Sequence, residues 1–287
     1  MIGVFDSGHG GLTVLRTLVD QLPEQGFAYL GDHANAPYGN RTPEEIYRFT
    51  VQGVESLFGL GCDLVVLACN TASAQALRRL QQTWLPHAYP GRRVLGVLVP
   101  MVEAITCVPW MADVPASAHA GEPRTIGIFA TRRTVLSRAF PTEIGKRAPE
   151  VRVVQQACPD LVPLIEADAP ADEIRAAVRR YATGLMRKLD GVPPDAVMLG
   201  CTHYPLVADA FAEALPPGLE VLCQPSLTAK SLRAYLERHP EFDSRGQGPL
   251  RFHTTGDPVP VTRLATRFFG REARFDRLEP ATVMHAR

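Results

Sequence analysis

The chain has 287 residues, of which 46% are hydrophobic and 21% are charged, a composition typical of one large or two medium globular domains. Thirty basic residues balance thirty acidic ones, so charge gives no reason to expect binding to nucleic acid or to an anionic membrane surface. No apolar run is long enough to span a bilayer, and MIGVF leads straight into a strand, so we expect a cytoplasmic protein that binds a small ligand or another protein.

Short apolar runs bounded by turn residues predict a series of strands. In chain order they are MIGVF, GFAYL, CDLVVLA, RRVLGVLV, RTIGIFA, VRVVQQ, DAVMLG and GLEVLC. Helical patterns such as TASAQALRRLQQTW lie between several of them, and this alternation predicts an α/β fold with parallel sheets. The later segment HPEFDSRGQGPLRFHTTGDPVP is turn-rich, and the helical pattern VTRLATRFFGR after it is expected to close the chain against one half.

Two pairs of segments are similar to each other. MIGVFDSGHGGLTV resembles RTIGIFATRRTVLS, and CDLVVLACNTASAQAL resembles PDAVMLGCTHYPLVADA. The chain is therefore expected to contain two related α/β halves. Ligands of open α/β sheets bind beyond the carboxyl ends of the strands, where we expect Asp6, Cys69, Thr131 and Cys201.

Cys69 and Cys201 occupy the same position in the second pair of segments. Each ends an apolar run and precedes small hydroxyl or amide residues, Asn70 and Thr71 in the case of Cys69, so each thiol is expected at a strand-to-helix turn. Backbone N–H groups there favour a thiolate. A lone cysteine in such a place is more often a small buried hydrophobe, but the repetition favours a pair that removes and returns a proton on opposite faces of a carbon.

The remaining cysteines show no CxxC pair and are expected to be reduced core or loop thiols without a catalytic role; they are Cys62, Cys107, Cys158 and Cys223.

The residues after Cys201 add polar groups at the same strand end. His203 follows Thr202 and could orient or protonate a substrate carboxylate, and Pro205 is tolerated in a first helical turn. A Cys-x-His triplet with one distant cysteine is weak support for zinc, so no metal is expected. A thiol-nucleophile hydrolase is a weaker hypothesis, because Cys201 and His203 are too close in sequence to suggest a separately oriented base.

Further polar groups follow the first two predicted strands, and one more carboxylate is expected on a helix. In DSGHGG, Asp6 and Ser7 precede glycines that permit a tight turn, which indicates an anion or amino-acid cradle or, alternatively, a turn with Asp6 as a helix cap. The motif fits neither a dinucleotide fingerprint nor a phosphate loop. Asp32 ends the second run, and Pro37-Tyr38-Gly39 forms a turn whose amides could hold a carboxylate. Glu166 could lie on a helix at the cleft edge, although such a carboxylate is usually solvated.

Six motifs in order carry a resemblance that spans nearly the whole chain: VFDSGHGGLTV, DHANAPYGNRT, ACNTASA, GVLVPMVEA, LGCTHYPLV and FHTTGD. The set resembles the glutamate racemase family of the aspartate/glutamate racemase superfamily. The resemblance implies two related three-layer α/β domains with mainly parallel sheets, in a pseudo-twofold arrangement with the active site at the domain interface. The implied first domain comprises residues 1–99 plus 225–287, and the second comprises residues 100–224.

The resemblance also implies a function: cofactor-independent interconversion of L-glutamate and D-glutamate, which supplies the D-isomer for peptidoglycan. It implies that Cys201 takes the proton from the L-isomer and Cys69 takes it from the D-isomer. The implied substrate contacts are Asp6, Ser7, Tyr38, Gly39, Asn70, Thr71, Thr202 and His203. Asp32, Glu166 and His203 match the family's auxiliary polar groups, and a homodimer is a candidate assembly.

Two other functions stay open: a racemase for aspartate or another acidic amino acid, and a non-catalytic amino-acid-binding protein on the same fold. Two segments also depart from the family pattern. Residues 106–124, which include Trp110, are expanded, and Gln224-Pro225-Ser226 stands where an acidic strand end is more usual.

Overall fold

The computed structural model describes residues 1–109, 124–246, 248 and 250–279. The chain divides into two compact units, Met1–Val97 with Pro225–Arg287 and Leu98–Gln224. Within the described residues, no helix combines the length and the apolarity that crossing a membrane requires. Of the expanded segment at 106–124, residues 110–123, with Trp110, lie outside the described part of the chain.

Strands and helices alternate along the described residues. The strands are β1 (Ile2–Asp6), β2 (Phe27–Gly31), β3 (Leu64–Leu67), β4 (Arg93–Gly96), β5 (Thr125–Ala130), β6 (Arg152–Ala157), β7 (Ala196–Gly200), β8 (Glu220–Cys223), β9 (Arg251–Thr254) and β10 (Phe275–Arg277). The helices are α1 (Leu12–Gln21), α2 (Pro43–Gly59), α3 (Asn70–Gln75), α4 (Leu77–Arg79), α5 (Leu85–Ala88), α6 (Leu98–Thr106), α7 (Arg132–Ser137), α8 (Ala139–Arg147), α9 (Leu161–Glu166), α10 (Ala171–Lys188), α11 (Ala208–Ala214), α12 (Gln224–Arg238) and α13 (Pro258–Phe269).

Each unit contains one sheet, and the two sheets share a strand order. The first has the order β10-β9-β2-β1-β3-β4 and the second the order β6-β5-β7-β8, with parallel pairing throughout these ladders. The series β2-β1-β3-β4 therefore matches β6-β5-β7-β8, and the similar sequence segments fall on β1 with β5 and on β3 with β7. The prediction of an α/β fold with two related, mainly parallel halves is confirmed.

Two details of the strand prediction are wrong. The run RRVLGVLV is a strand only as far as Gly96, and Leu98 begins α6, because apolarity alone does not separate a buried strand from a buried helix. The segment interpreted as turns before the last helix contains β9, which pairs with β2 in parallel. β10 then extends the sheet beside β9.

The core of the first unit explains the apolar strand runs. All residues of β1 and β2 are buried, as expected for strands that are covered on both faces. α2 buries Ile46, Val54 and Leu57 in a cluster with Phe5. The packing fixes the strand ends, which carry the polar residues of interest.

Candidate active site

The predicted polar residues follow the carboxyl ends of parallel strands in both units. In the first unit β1 ends at Asp6, and Cys69 follows the end of β3 by two residues. In the second unit Thr131 follows β5 directly and Cys201 follows β7 directly. Because the strands of each sheet are parallel, these ends share one edge of that sheet, as the sequence predicts.

Cys69 is the N-cap residue of α3. Its Sγ accepts a hydrogen bond from the backbone N–H of Ala72 at 3.4 Å, so the thiol satisfies one of the first amides of the helix. The Ser7 hydroxyl oxygen lies 3.5 Å from the same sulfur. Asn70 and Thr71, the first two residues of α3, are buried beside it. The first unit thus gathers a thiol, hydroxyls and an amide at one strand edge.

Asp6 is fully buried and shapes the turn after β1. Its Oδ1 accepts a hydrogen bond from the N–H of Gly8 at 2.8 Å. A Cβ atom at Gly11 would lie 2.5 Å from the Asp6 Cβ, so the Asp6 side chain leaves no room for a larger residue at position 11. The N-cap position of α1 is Gly11, five residues after Asp6, so Asp6 is not the N-cap residue of that helix.

Asp32 and Tyr38 are joined in a buried network. The Tyr38 hydroxyl donates to Asp32 Oδ2 at 2.6 Å, and the Thr255 hydroxyl donates to Oδ1 at 2.7 Å. Tyr38 and Gly39 begin a single 3-10 turn, whose first amides have no acceptor within the turn itself. The N–H groups of Tyr38 and Gly39 are therefore the groups of this turn that could donate to a carboxylate.

The second unit brings Cys201, His203 and Glu166 together. His203 Nδ1 lies 3.8 Å from Cys201 Sγ, and Nε2 lies 2.9 Å from Glu166 Oε1, at the last residue of α9. Burial opposes a charged imidazole, but the hydrogen bonds to Cys201 and Glu166 outweigh it and raise the pKa of His203 to about 10. Both contacts favour the charged imidazolium, which can hydrogen-bond a thiolate or a carboxylate. Thr202 is buried beside it.

The two thiols have different neighbours although their backbone positions correspond. Cys69 is followed by Asn70 and Thr71, whereas Cys201 is followed by Thr202 and His203. A hydroxyl partner therefore stands near one thiol and a cation near the other.

The other cysteines differ from this pair. All six cysteines are free. Burial raises the pKa of Cys62 to about 11 and raises the pKa of Cys158 and of Cys223 as well, which keeps these thiols protonated. Cys107 is exposed.

The structure adds Thr255 and Asn35 to the predicted residues. Asn35 Nδ2 lies 3.0 Å from Asp32 Oδ1, and Thr255 reaches the same carboxylate from a segment that the sequence predicted to be rich in turns. The FHTTGD motif was a signal for Thr255, but no local pattern indicated its partner. Within the described residues, no group of three or more His, Cys, Asp or Glu side chains could hold a metal ion.

The chain is similar to known proteins over nearly its whole length. A family-wide sequence model described as Asp/Glu/Hydantoin racemase matches residues 2–232. Glutamate racemase from Phenylobacterium zucineum is 49% identical over 280 residues, covering 96% of this chain and 99% of that protein. The crystal structure of glutamate racemase isoform RacE1 from Bacillus anthracis has a TM-score of 0.81 and 29% identity, covering 97% of both chains. Glutamate racemase from Francisella tularensis, solved in complex with D-glutamate, has a TM-score of 0.81 and 26% identity, covering 98% of this chain and 97% of that one.

Proposed function

Since the chain belongs to the Asp/Glu/Hydantoin racemase family, and within it to the glutamate racemases, we propose that it interconverts L-glutamate and D-glutamate without a cofactor. Cys201 takes the α-proton from the L-isomer and Cys69 takes it from the D-isomer, while the opposite thiol donates a proton to the other face. The observation that carries the proposal is the pair of thiols after corresponding strands, β3 and β7, of two sheets that share a series of four strands.

Substrate binding in this proposal uses the polar groups beside each thiol. Ser7, Asn70 and Thr71 offer hydroxyl and amide groups next to Cys69, and Asp6 provides a carboxylate for the substrate ammonium group. The backbone at Tyr38 and Gly39 offers N–H groups to a carboxylate. Beside Cys201, Thr202 and His203 supply a hydroxyl and a cation, and Glu166 holds His203 in its charged form.

Several broader features belong to the same proposal. The functional domains are residues 1–99 plus 225–287 and residues 100–224. The enzyme works in the cytoplasm, as a homodimer, and its D-glutamate supplies peptidoglycan synthesis for the cell wall.

The first test is isotope exchange. Pure protein incubated with L-glutamate in D2O, with neither pyridoxal phosphate nor added metal, should lose optical rotation while deuterium enters the α position. The absence of both changes under reducing conditions would refute glutamate racemisation. Equal or faster turnover of L-aspartate would favour the aspartate alternative. Thermal stabilisation by glutamate without any exchange would favour a binding protein.

The second test assigns the two thiols. C69S and C201S should each nearly abolish racemisation, because a hydroxyl is a far weaker acid than a thiol and a poor base near neutral pH. C69S should retain slow deuterium exchange into L-glutamate without inversion, since Cys201 can still remove and return the proton on one face. C201S should do the same with D-glutamate. C223S is the matched control, because Cys223 is a half-buried thiol of the second sheet. Full racemase activity in C69S or C201S would eliminate the two-thiol mechanism.

A further inference from the structure

The buried carboxylate of Asp32 accepts hydrogen bonds from several side chains. Thr255 donates to Oδ1 at 2.7 Å, Tyr38 donates to Oδ2 at 2.6 Å, and Asn35 Nδ2 lies 3.0 and 3.1 Å from the two oxygens. A carboxylate offers about four acceptor sites. A proton transferred to Asp32 would break one of these bonds, so the arrangement suits a fixed acceptor and not a proton carrier.

The Thr255 hydroxyl ties this carboxylate to the end of β9. The backbone N–H of Thr255 donates to the carbonyl of Gly31 at 3.2 Å, which places the residue beside the end of β2. Its Oγ1 donates to Asp32 and accepts from the N–H of Ala34 at 3.1 Å. One hydroxyl therefore fixes both the Asp32 side chain and the backbone that leads to the turn at residues 37–39.

Tyr38 links the Asp32 carboxylate to the turn at residues 37–39. Its ring is 1% exposed and packs near Phe5 and Phe49, with ring centroids 6.4 and 6.0 Å away. Burial, and then the Asp32 charge, raise the pKa of Tyr38 well above its ordinary value, so the hydroxyl stays protonated and donates to Asp32. The side chain is thus an anchor in the core, and the backbone of Tyr38 and Gly39 is the part of the turn that can face a ligand.

We infer that Thr255 is a positioning residue for racemisation, which through Asp32 and Tyr38 holds the turn at residues 37–39 in the conformation that binds substrate. The inference rests on the proposed function, in which Tyr38 and Gly39 contact glutamate. It also makes Asp32 a positioning residue instead of a proton-transfer group.

The kinetic test compares Thr255→Val with Thr255→Ser. Valine keeps the shape of threonine and removes the hydroxyl, whereas serine keeps the hydroxyl. T255V should raise KM for both isomers about tenfold and change kcat less than about threefold, because the lost contact orders the binding turn and leaves the thiols in place. T255S should stay within about twofold of the wild type in both constants.

Thr50→Val is the matched control for a general loss of stability. Thr50 is a fully buried threonine of the same unit whose hydroxyl donates to the carbonyl of Ile46 at 2.7 Å. T50V should unfold at a lower temperature with KM unchanged. A wild-type KM in T255V, an equal KM increase in T50V, or a failure of serine to restore KM would overturn the inference.

A second measurement needs no substrate. Urea unfolding of wild type, T255V, Y38F and the double variant forms a double-mutant cycle. Since both hydroxyls bind one carboxylate, the two losses should be non-additive, and additive losses would overturn the network. A wild-type protein without glutamate racemisation would refute the proposed function alone, because the cycle still decides whether Thr255 and Tyr38 are coupled.

Discussion

His203 Nε2 lies 2.9 Å from Glu166 Oε1, and this contact joins the end of α9 to the residues that follow β7. The other ring nitrogen lies 3.8 Å from Cys201 Sγ. The imidazole therefore bridges a carboxylate and a thiol, and the charge that it carries depends on both. Two experiments can separate the part of this arrangement that concerns catalysis from the part that concerns stability.

Glu166→Gln should shift the alkaline side of the pH–rate profile. The carboxylate is one of the groups that raise the pKa of His203 to about 10, so a neutral amide should lower that pKa. The decline of kcat with rising pH should then begin roughly one unit lower, with less effect below pH 7. Racemisation rates between pH 6 and 11, with an NMR titration of the His203 ring, measure this.

The chain offers a matched control in a second His–Glu contact. His239 Nδ1 lies 3.2 Å from Glu241 Oε1, and both side chains are exposed. E241Q removes the same charge at an exposed position and should leave the pH–rate profile unchanged. If kcat of E166Q and of the wild type declined over the same alkaline pH range, Glu166 would not be the group that keeps His203 charged.

His203 should also give stability a defined pH dependence. Its folded-state pKa, about 10, lies above the ordinary value of 6.5, so the folded protein binds more protons than the unfolded chain between these values. The stabilisation is fully present below pH 6.5 and is lost as pH rises through about 10. One proton limits the slope to about 1.4 kcal/mol per pH unit.

Urea unfolding at pH 6, 8 and 10 measures that slope. The free energy of unfolding of the wild type should fall more steeply over this range than that of His203→Gln, since glutamine has no proton to lose. His239→Gln is the control at an exposed histidine and should keep the wild-type slope. Parallel curves for wild type and H203Q would show that His203 does not stay charged in the folded protein.

The sequence predicted the parts of the site that depend on local pattern. Cys69 and Cys201 could be placed at strand ends because a buried strand followed by small polar residues is a signal contained within about ten residues. The repeated segments predicted two related α/β halves, because a duplicated unit repeats its local signals together with its connections.

The parts that depend on distant contacts could not be predicted. β9 has four residues and β10 has three, and each is a strand because of its neighbour in the sheet, not because of its own composition. Thr255 meets Asp32 across 223 positions of sequence, and Glu166 meets His203 across 37. The family resemblance indicated Asp32 and Glu166, but the hydrogen bonds that define their surroundings exist only in the folded chain.

Two glycines of α2 give opposite predictions for stability. A Cβ atom at Gly53 would lie 2.1 Å from the Cε2 atom of Phe5, a fully buried ring that cannot move without displacing the core. Gly53→Ala should therefore lower the free energy of unfolding by about 1–3 kcal/mol or more. At Gly59, the last residue of the same helix, an added Cβ meets nothing within 4 Å. Gly59→Ala should stabilise the protein by about 0.4–1 kcal/mol, because alanine restricts the unfolded chain.

The pair of variants separates packing from helix propensity. Both replace glycine by alanine in one helix, so a change that came from propensity would have the same sign in both. Urea unfolding midpoints should move in opposite directions, lower for G53A and higher for G59A. Because Phe5 directly precedes Asp6, G53A should also reduce racemase activity, whereas G59A should keep it. Equal stabilisation by both variants would mean that the ring of Phe5 does not fill the space over Gly53.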